Sequence, residues 1–422
     1  MCVDPDLRRY NGRPVSISRS TAYRATPAVT ALAIGLVVTL ALGCARQSDL
    51  VIGDQPDSDL ASLVDSDAAR QMLGHLLARR AGPMRLAAGA PSDTRLAHLA
   101  GAREPVDLSR LPDQARLREL AREVSMDFGA LVFAKALGAD GKSQGVQAAF
   151  DRALREGPQR SSEALQRPRA FPYTLVFAPS WLYKSHPETG SDFAFQRGIL
   201  DRLGIPHRTI ASGESDSVEA NAAVIAESLR ALGCGSGPLV IVSASKSGAE
   251  AALALTGLTP AESACVVAWV NIAGTLGGTP LADAALRPPV KWLARGIFWV
   301  SGWSWDGLAS LATKPSRQRL TGRRIFETIT VLNIVAVPVS GSVGYQVYGG
   351  YQVLASHGPN DGVVLLADTV WPNGINLVAL GADHLFFRWR EEAYVVALLR
   401  AVDVAVRRYG PTPEPTVAAE GD

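Results

Sequence analysis

Two textures of hydrophobic patterning divide the chain. From Ser58 to about Gly157, apolar side chains recur at intervals of three and four. Leu63, Ala68, Met72, Leu73, Leu76 and Leu77 form one such series, and Leu117, Leu120, Val124, Phe128, Leu131 and Val132 form another after Pro112. That spacing lines one face of a helix and predicts helices, with a further short one from Val146 to Leu154. From about Arg167 the texture changes. Short apolar runs at Tyr173–Ala178, Arg208–Ala211, Leu239–Val242, Cys265–Ile272, Ile329–Val337 and Ile375–Leu380 read as strands. Helical stretches such as Ser217–Leu232 and Glu250–Leu255 stand between them. Strand–helix alternation implies βαβ units and a parallel sheet covered on both faces. The expected fold class is therefore α/β: an open, mostly parallel sheet with helices on both faces over 167–410, preceded by a helical accessory region over 58–166. Right-handed crossovers would place functional loops at the strand C-termini.

The first residues follow a different logic. Arg8, Arg9, Arg13, Arg19 and Arg24 form a basic stretch, offset by Asp4 and Asp6, and no charge occurs from Ala25 to Ala45. The apolar centre Ala31–Leu42 leads into Gly43 and Cys44. This arrangement predicts an export signal over 1–43. It resembles a bacterial lipoprotein leader with Cys44 as the lipidated residue, although Ala41 stands three before the cysteine where leucine is usual. An ordinary cleaved signal and an uncleaved membrane anchor are the alternatives; all three imply export. Residues 44–57 read as a tether and 411–422 as a disordered tail.

Composition narrows the field. Hydrophobic residues make up 47% and charged residues 19%, enough to supply a sizeable core. The formal net charge of +2 gives no electrostatic case for nucleic acid. No cysteine spacing suits zinc, and neither a metal nor an organic cofactor is implied. Cys234 lies shortly before one expected strand and Cys265 opens the next, so the two are candidates for a disulfide or for adjacent free thiols.

The most informative stretch is Pro238–Ala252, in which the run Leu239–Val242 meets the small residues Ser243, Ala244, Ser245, Ser247 and Gly248, interrupted only by Lys246, before an alanine-rich helical segment. This is the pattern of a sharp strand-to-helix turn that presents a serine above a parallel sheet. Ser243 and Ser247 occupy the flanking positions where glycine is usual, and serine accepts strained backbone angles less readily. Further on, Asp361 sits in Ser356-His357-Gly358-Pro359-Asn360-Asp361-Gly362-Val363-Val364, and His384 follows the last expected strand in Leu380-Gly381-Ala382-Asp383-His384.

Taken together these segments resemble an α/β-hydrolase over residues 167–410, with nucleophile, acid and histidine signatures in the chain order of that superfamily. The first two strands of a full α/β-hydrolase are not visible, which implies a sheet beginning at what would be its third strand. The resemblance implies Ser245 as nucleophile, His384 as general base and Asp361 as the carboxylate that orients it. His75, His98, His186, His207 and His357 are the other histidines, with His357 the best rival, and Asp368 and Asp383 are rival acids. Two backbone N–H groups should form the oxyanion hole, one from Lys246 and the other from Trp181, with Ser180 as the alternative. The Lys246 side chain is expected to point to solvent, with an anionic substrate group as the alternative partner.

An insertion at about 282–324 stands where such folds carry a lid. It holds Trp292, Phe298, Trp299, Trp303 and Trp305 among Lys291, Arg295, Lys314, Arg317, Arg319, Arg323 and Arg324. This composition suits a cover over an acyl pocket, a surface that meets a membrane, or a buried cap core. The implied function is an exported serine hydrolase of carboxylic esters, lipase- or esterase-like, acting on a small-molecule or lipid ester and held at a membrane by a lipid at Cys44. The alternatives are an acyltransferase, thioesterase or amidase on the same triad, or a non-catalytic binding protein on the same fold.

Overall fold

The computed structural model describes residues 60–81, 111–167 and 171–410. The leader, Cys44, the tether, His98 and the tail lie outside the described residues. In chain order the main elements are helices α1 (Asp67–Ala81), α2 (Gln114–Glu123), α3 (Met126–Leu137) and α4 (Gly141–Gln166), then strand β1 (Thr174–Ala178), α5 (Ala194–Leu203), β2 (His207–Thr209), α6 (Val218–Leu232), β3 (Leu239–Ala244), α7 (Lys246–Leu255) and β4 (Val266–Ile272). Helices α8 (Pro280–Ala285), α9 (Val290–Ser301), α10 (Trp305–Ala309) and α11 (Thr313–Leu320) follow, then β5 (Thr330–Val337), α12 (Tyr345–Leu354), β6 (Ile375–Leu380) and α13 (Glu392–Tyr409).

All six strands are parallel, in the order β2-β1-β3-β4-β5-β6. Helices cover both faces of this sheet, the architecture expected of an α/β-hydrolase whose sheet begins at its third strand. The chain runs outward from β1 to β2, then returns across β1 to β3 and continues the other way. The crevice outside the C-terminal ends of β1 and β3 is therefore the switch point where such sheets place a site.

Side-chain alternation along the strands explains the two layers. Val240 and Val242 of β3, Leu332 and Ile334 of β5, and Ile375 and Leu377 of β6 point to one face, where α4, α5 and α13 bury them. Leu239 and Ile241 of β3 point to the other, against α6 and α7. On that second face Val335, Val337 and Val378 meet Leu117 of α2 and Ala130, Phe133 and Leu137 of α3. The helices that precede the sheet in sequence thus clothe its β5–β6 end.

The expected helix over 146–154 is the middle of the longer α4, which continues past a break at Gly157, where φ is +80°, followed by Pro158. Proline has no N–H to donate, and glycine reaches positive φ without a Cβ penalty, so this pair divides α4 into two helical stretches that meet at a kink. Strand β2 is shorter than expected and begins one residue earlier, at His207, because its pairing with β1 extends only from His207 to Thr209. No helix among the described residues is long and apolar enough to cross a membrane. The insertion at 282–324 contains α9, α10 and α11.

Candidate active site

Ser245 stands in the crevice, in the turn between β3 and α7. Its φ of 51° and ψ of −124° are strained for a residue with a Cβ, a conformation that costs on the order of 1–3 kcal/mol. The surrounding backbone holds it there. Ser245 N donates to Ile272 O at 2.9 Å, while Gly248 N at 2.9 Å and Thr275 N at 3.0 Å donate to Ser245 O. Gly248 makes the turn compact, since a Cβ there would lie 2.6 Å from Gly274 Cα.

The strain falls on Ser245 alone in this turn; neither Ser243 nor Ser247 has positive φ. The serines that replace the usual glycines instead make hydrogen bonds. Trp269 Nε1 donates to Ser243 Oγ at 2.8 Å. Ser247 Oγ donates to Ala178 O at 2.7 Å and accepts from Ala244 N at 2.9 Å.

Three loops converge on the serine hydroxyl. Ser245 Oγ lies 2.8 Å from His384 Nε2, and His384 Nδ1 lies 2.7 Å from Asp361 Oδ2. The other carboxylate oxygen of Asp361 accepts from Val363 N at 2.9 Å and Val364 N at 2.8 Å. A backbone bond from His384 N to Asp361 O, 2.9 Å, joins the two loops directly. Gly362 permits this turn: its φ is +98° and a Cβ would meet Val347. Asp361 is fully buried and His384 nearly so.

The rival residues make other contacts, although His186 lines the same cavity as Ser245. Asp383 accepts from Gly344 N at 2.8 Å and from Leu385 N at 3.0 Å, and burial raises its pKa. Asp368 pairs with Arg317 at 3.0 Å; burial raises its pKa against that pull. His357 is exposed, and its pKa is lowered by partial desolvation and by Arg118. His186 is buried with Nδ1 2.8 Å from Glu188 Oε1. His207 stands at the start of β2, at the opposite end of the sheet.

Two backbone N–H groups remain near the serine. Lys246 opens α7, so its N–H has no acceptor within the helix. In the loop after β1, Ser180 N is committed to Ser191 O at 2.9 Å and Leu182 N to Glu214 O at 2.9 Å. Trp181 N, between them, has no protein acceptor among the described residues.

The side chain of Lys246 does not reach solvent. It pairs with Glu250 one turn along α7, with both side chains buried. The stem of Lys246 is enclosed because α7 packs against α6, whose Asn221 donates to Glu250 Oε1 at 2.9 Å. The ammonium also lies 6.0 Å from the centre of the Trp181 ring.

Sequence patterning misses a polar row beneath the site. Asn271, Asn333 and Asn376 are in register on adjacent strands. Asn271 Nδ2 donates to Asn333 Oδ1 at 3.0 Å and Asn333 Nδ2 to Asn376 Oδ1 at 3.0 Å. The row also binds Thr369 O and Trp371 N, which tethers the segment after the Asp361 loop.

Ser245 and His384 open into a cavity of about 420 Å³. It runs between the sheet and helices α5 and α13, past Phe177, Val242, Val270, Leu399 and Val402, and the insertion roofs it with Phe298, Trp303, Leu308 and Leu311. Trp389, in its wall, stacks on Phe150 of α4 with ring centres 5.0 Å apart. A disulfide joins Cys234 to Cys265 at the far end of β3 and β4.

No family model matches the chain, and no curated protein matches it. Solved structures similar to it include a metagenomic carboxyl esterase, MGS0156, at 22% identity and a TM-score of 0.45, covering 55% of this chain and 76% of that one. The mature form of the Bacillus licheniformis lipase BlEst2 is similar at 22% identity and a TM-score of 0.42, covering 50% of this chain and 85% of that one. Its propeptide form is similar at 18% identity and a TM-score of 0.47, covering 57% and 52% respectively.

Proposed function

We propose that this chain is a serine hydrolase that cleaves carboxylic esters with an apolar acyl group. The observation that carries the reading is the hydrogen-bonded line Ser245–His384–Asp361 opening into an apolar cavity. A serine hydroxyl is a weak nucleophile and needs a base within reach. The Asp361 carboxylate accepts the Nδ1 proton of His384, which leaves Nε2 to take the proton of Ser245 Oγ. The Ser245 oxygen then attacks the ester carbonyl. The N–H groups of Lys246 and Trp181 receive the developing negative charge, and one such donor is worth about 2.7–4 kcal/mol. Protonated His384 returns its proton to the departing alcohol, and hydrolysis of the acyl-enzyme by the reverse sequence releases the acid.

The cavity supports an acyl group as the part bound. Its walls are aliphatic and aromatic, so an alkyl chain entering it exchanges water for hydrocarbon at roughly 0.8 kcal/mol per methylene. Export of the chain, with a lipid at Cys44, is part of the proposal, and the Cys234–Cys265 disulfide supports an oxidising destination. A fluorophosphonate probe tests the reading. It should label the wild-type protein and leave Ser245→Ala unlabelled; no labelling of wild type, or equal labelling of both, would overturn it. A series of p-nitrophenyl esters of increasing acyl length should show kcat/KM rising with chain length.

A further inference from the structure

Helix α9 has two apolar faces. Ala294 and Phe298 point inward, and Phe298 reaches the cavity that holds Ser245. The outer face has no such cover. Trp292 is 66% exposed, Leu293 51%, Trp299 83% and Val300 65%. These four stand at i, i+1, i+7 and i+8, which places them on one stripe. Large apolar side chains massed in this way mark a surface that meets something.

Charge identifies the occupant. Residues 282–324 hold eight basic and two acidic side chains, a net of +6 in a chain whose total is only +2. Lys291 and Arg295 flank the stripe on α9 itself, and Arg287 lies just before it; none of the three has an ion pair among the described residues. Arg317 and Arg319 of that segment are paired with Asp368 and Glu219, but a second copy docking through the same face would still bring Arg287, Lys291 and Arg295 against their own counterparts, since a two-fold interface pairs each patch with itself. Tryptophan beside aliphatic residues, bordered by lysine and arginine, instead matches the interface of a bilayer with anionic headgroups.

We propose that the outer face of α9 docks the protein on an anionic lipid surface. Trp292, Leu293, Trp299 and Val300 enter the headgroup–acyl boundary, and Arg287, Lys291 and Arg295 meet the lipid phosphates. The same helix roofs the cavity, so docking sets the mouth of the site against the lipid. The surface acts through binding alone and does not require Ser245 to be reactive.

The test uses the full chain and vesicles of equal parts phosphatidylglycerol and phosphatidylcholine, against vesicles of phosphatidylcholine alone. Brominated lipids should quench tryptophan fluorescence in the wild type and in Ser245→Ala alike, with tighter binding to the anionic vesicles and weakening by salt. Trp292→Ser/Trp299→Ser should lower vesicle affinity by roughly tenfold or more while keeping its activity on a soluble short-chain ester. Equal binding of the double variant and wild type would overturn the proposal, because any leader or anchor is common to both. So would concentration-dependent dimerisation of the wild type that the double variant abolishes without change in vesicle affinity.

Discussion

Lys246, the residue after the candidate nucleophile, is paired with Glu250 one helical turn away, and only 1% of either side chain is exposed. Burial raises the pKa of Glu250, and the adjacent ammonium opposes that rise. Removing one partner leaves a charge or a carboxyl uncompensated in the interior. Lys246→Met should therefore destabilise the fold by about 3–5 kcal/mol. Lys246→Met/Glu250→Leu should recover most of that loss, because it removes both polar groups. Chemical denaturation midpoints of the two variants decide the matter; a single variant as stable as the wild type would show that the pair contributes nothing.

Asp361→Asn separates geometry from proton placement. Val363 N–H and Val364 N–H would hold the amide oxygen where Oδ1 now lies, turning the NH₂ toward His384 Nδ1. The imidazole is then driven to carry its proton on Nε2, where it can no longer accept from Ser245. Ester turnover should fall by about 10⁴ in kcat, measured on a p-nitrophenyl ester, while the circular dichroism spectrum is kept.

Returning the flanks of the turn to glycine should weaken this protein. Ser243→Gly leaves Trp269 Nε1 without its acceptor in a fully buried position, a loss of about 1–3 kcal/mol. Ser247→Gly removes the bonds to Ala178 and Ala244 that tie β1 and β3 to α7. Thermal melting of each variant should show a lower midpoint than the wild type.

The Cys234–Cys265 disulfide spans a sequence separation of 31. Closing a loop of that size in the unfolded chain stabilises the fold by about 3–4 kcal/mol in the chain-entropy account. Urea titration with and without a reductant should show that difference, and Cys234→Ser/Cys265→Ser should behave as the reduced protein in both conditions.

The contribution of Asp127 to stability should fall as pH rises from 4 to 7. Asp127 is fully buried at the start of α3, where it accepts from Ser340 and Asp65. Burial pushes its pKa up from 3.8 to about 6, against the hydrogen bond from Ser340. The folded state thus holds its proton more tightly than the unfolded chain. The resulting stability is fully present below pH 3.8 and is lost as pH rises through about 6. Burial raises Glu250, Asp368 and Asp383 in the same direction. His357, whose pKa is lowered, acts in the opposite direction, so the test is the difference: between pH 4 and pH 7 the melting midpoint of the wild type should fall relative to that of Asp127→Asn.

Much of this arrangement can be read from local pattern. Apolar runs of strand length between helical stretches determine a parallel sheet, because each run must be buried on both faces. Ser245 and His384 are legible because each follows such a run, and Asp361 because it sits in an Asn-Asp-Gly turn; the small residues and turn formers around all three carry a local signal. Long-range contacts leave no such trace. Whether Lys246 meets solvent or Glu250 depends on how α6 and Trp181 close over α7. The alignment of Asn271, Asn333 and Asn376 depends on the register of three strands joined by long crossovers. The hydrogen-bonded roles of Ser243 and Ser247 depend on Trp269 and Ala178, which reach them only through the assembled sheet. The sequence by itself therefore determined the architecture and the three residues at its crevice. Tertiary structure alone decided which polar groups are buried and paired, because that outcome depends on residues distant in the chain meeting within hydrogen-bond distance.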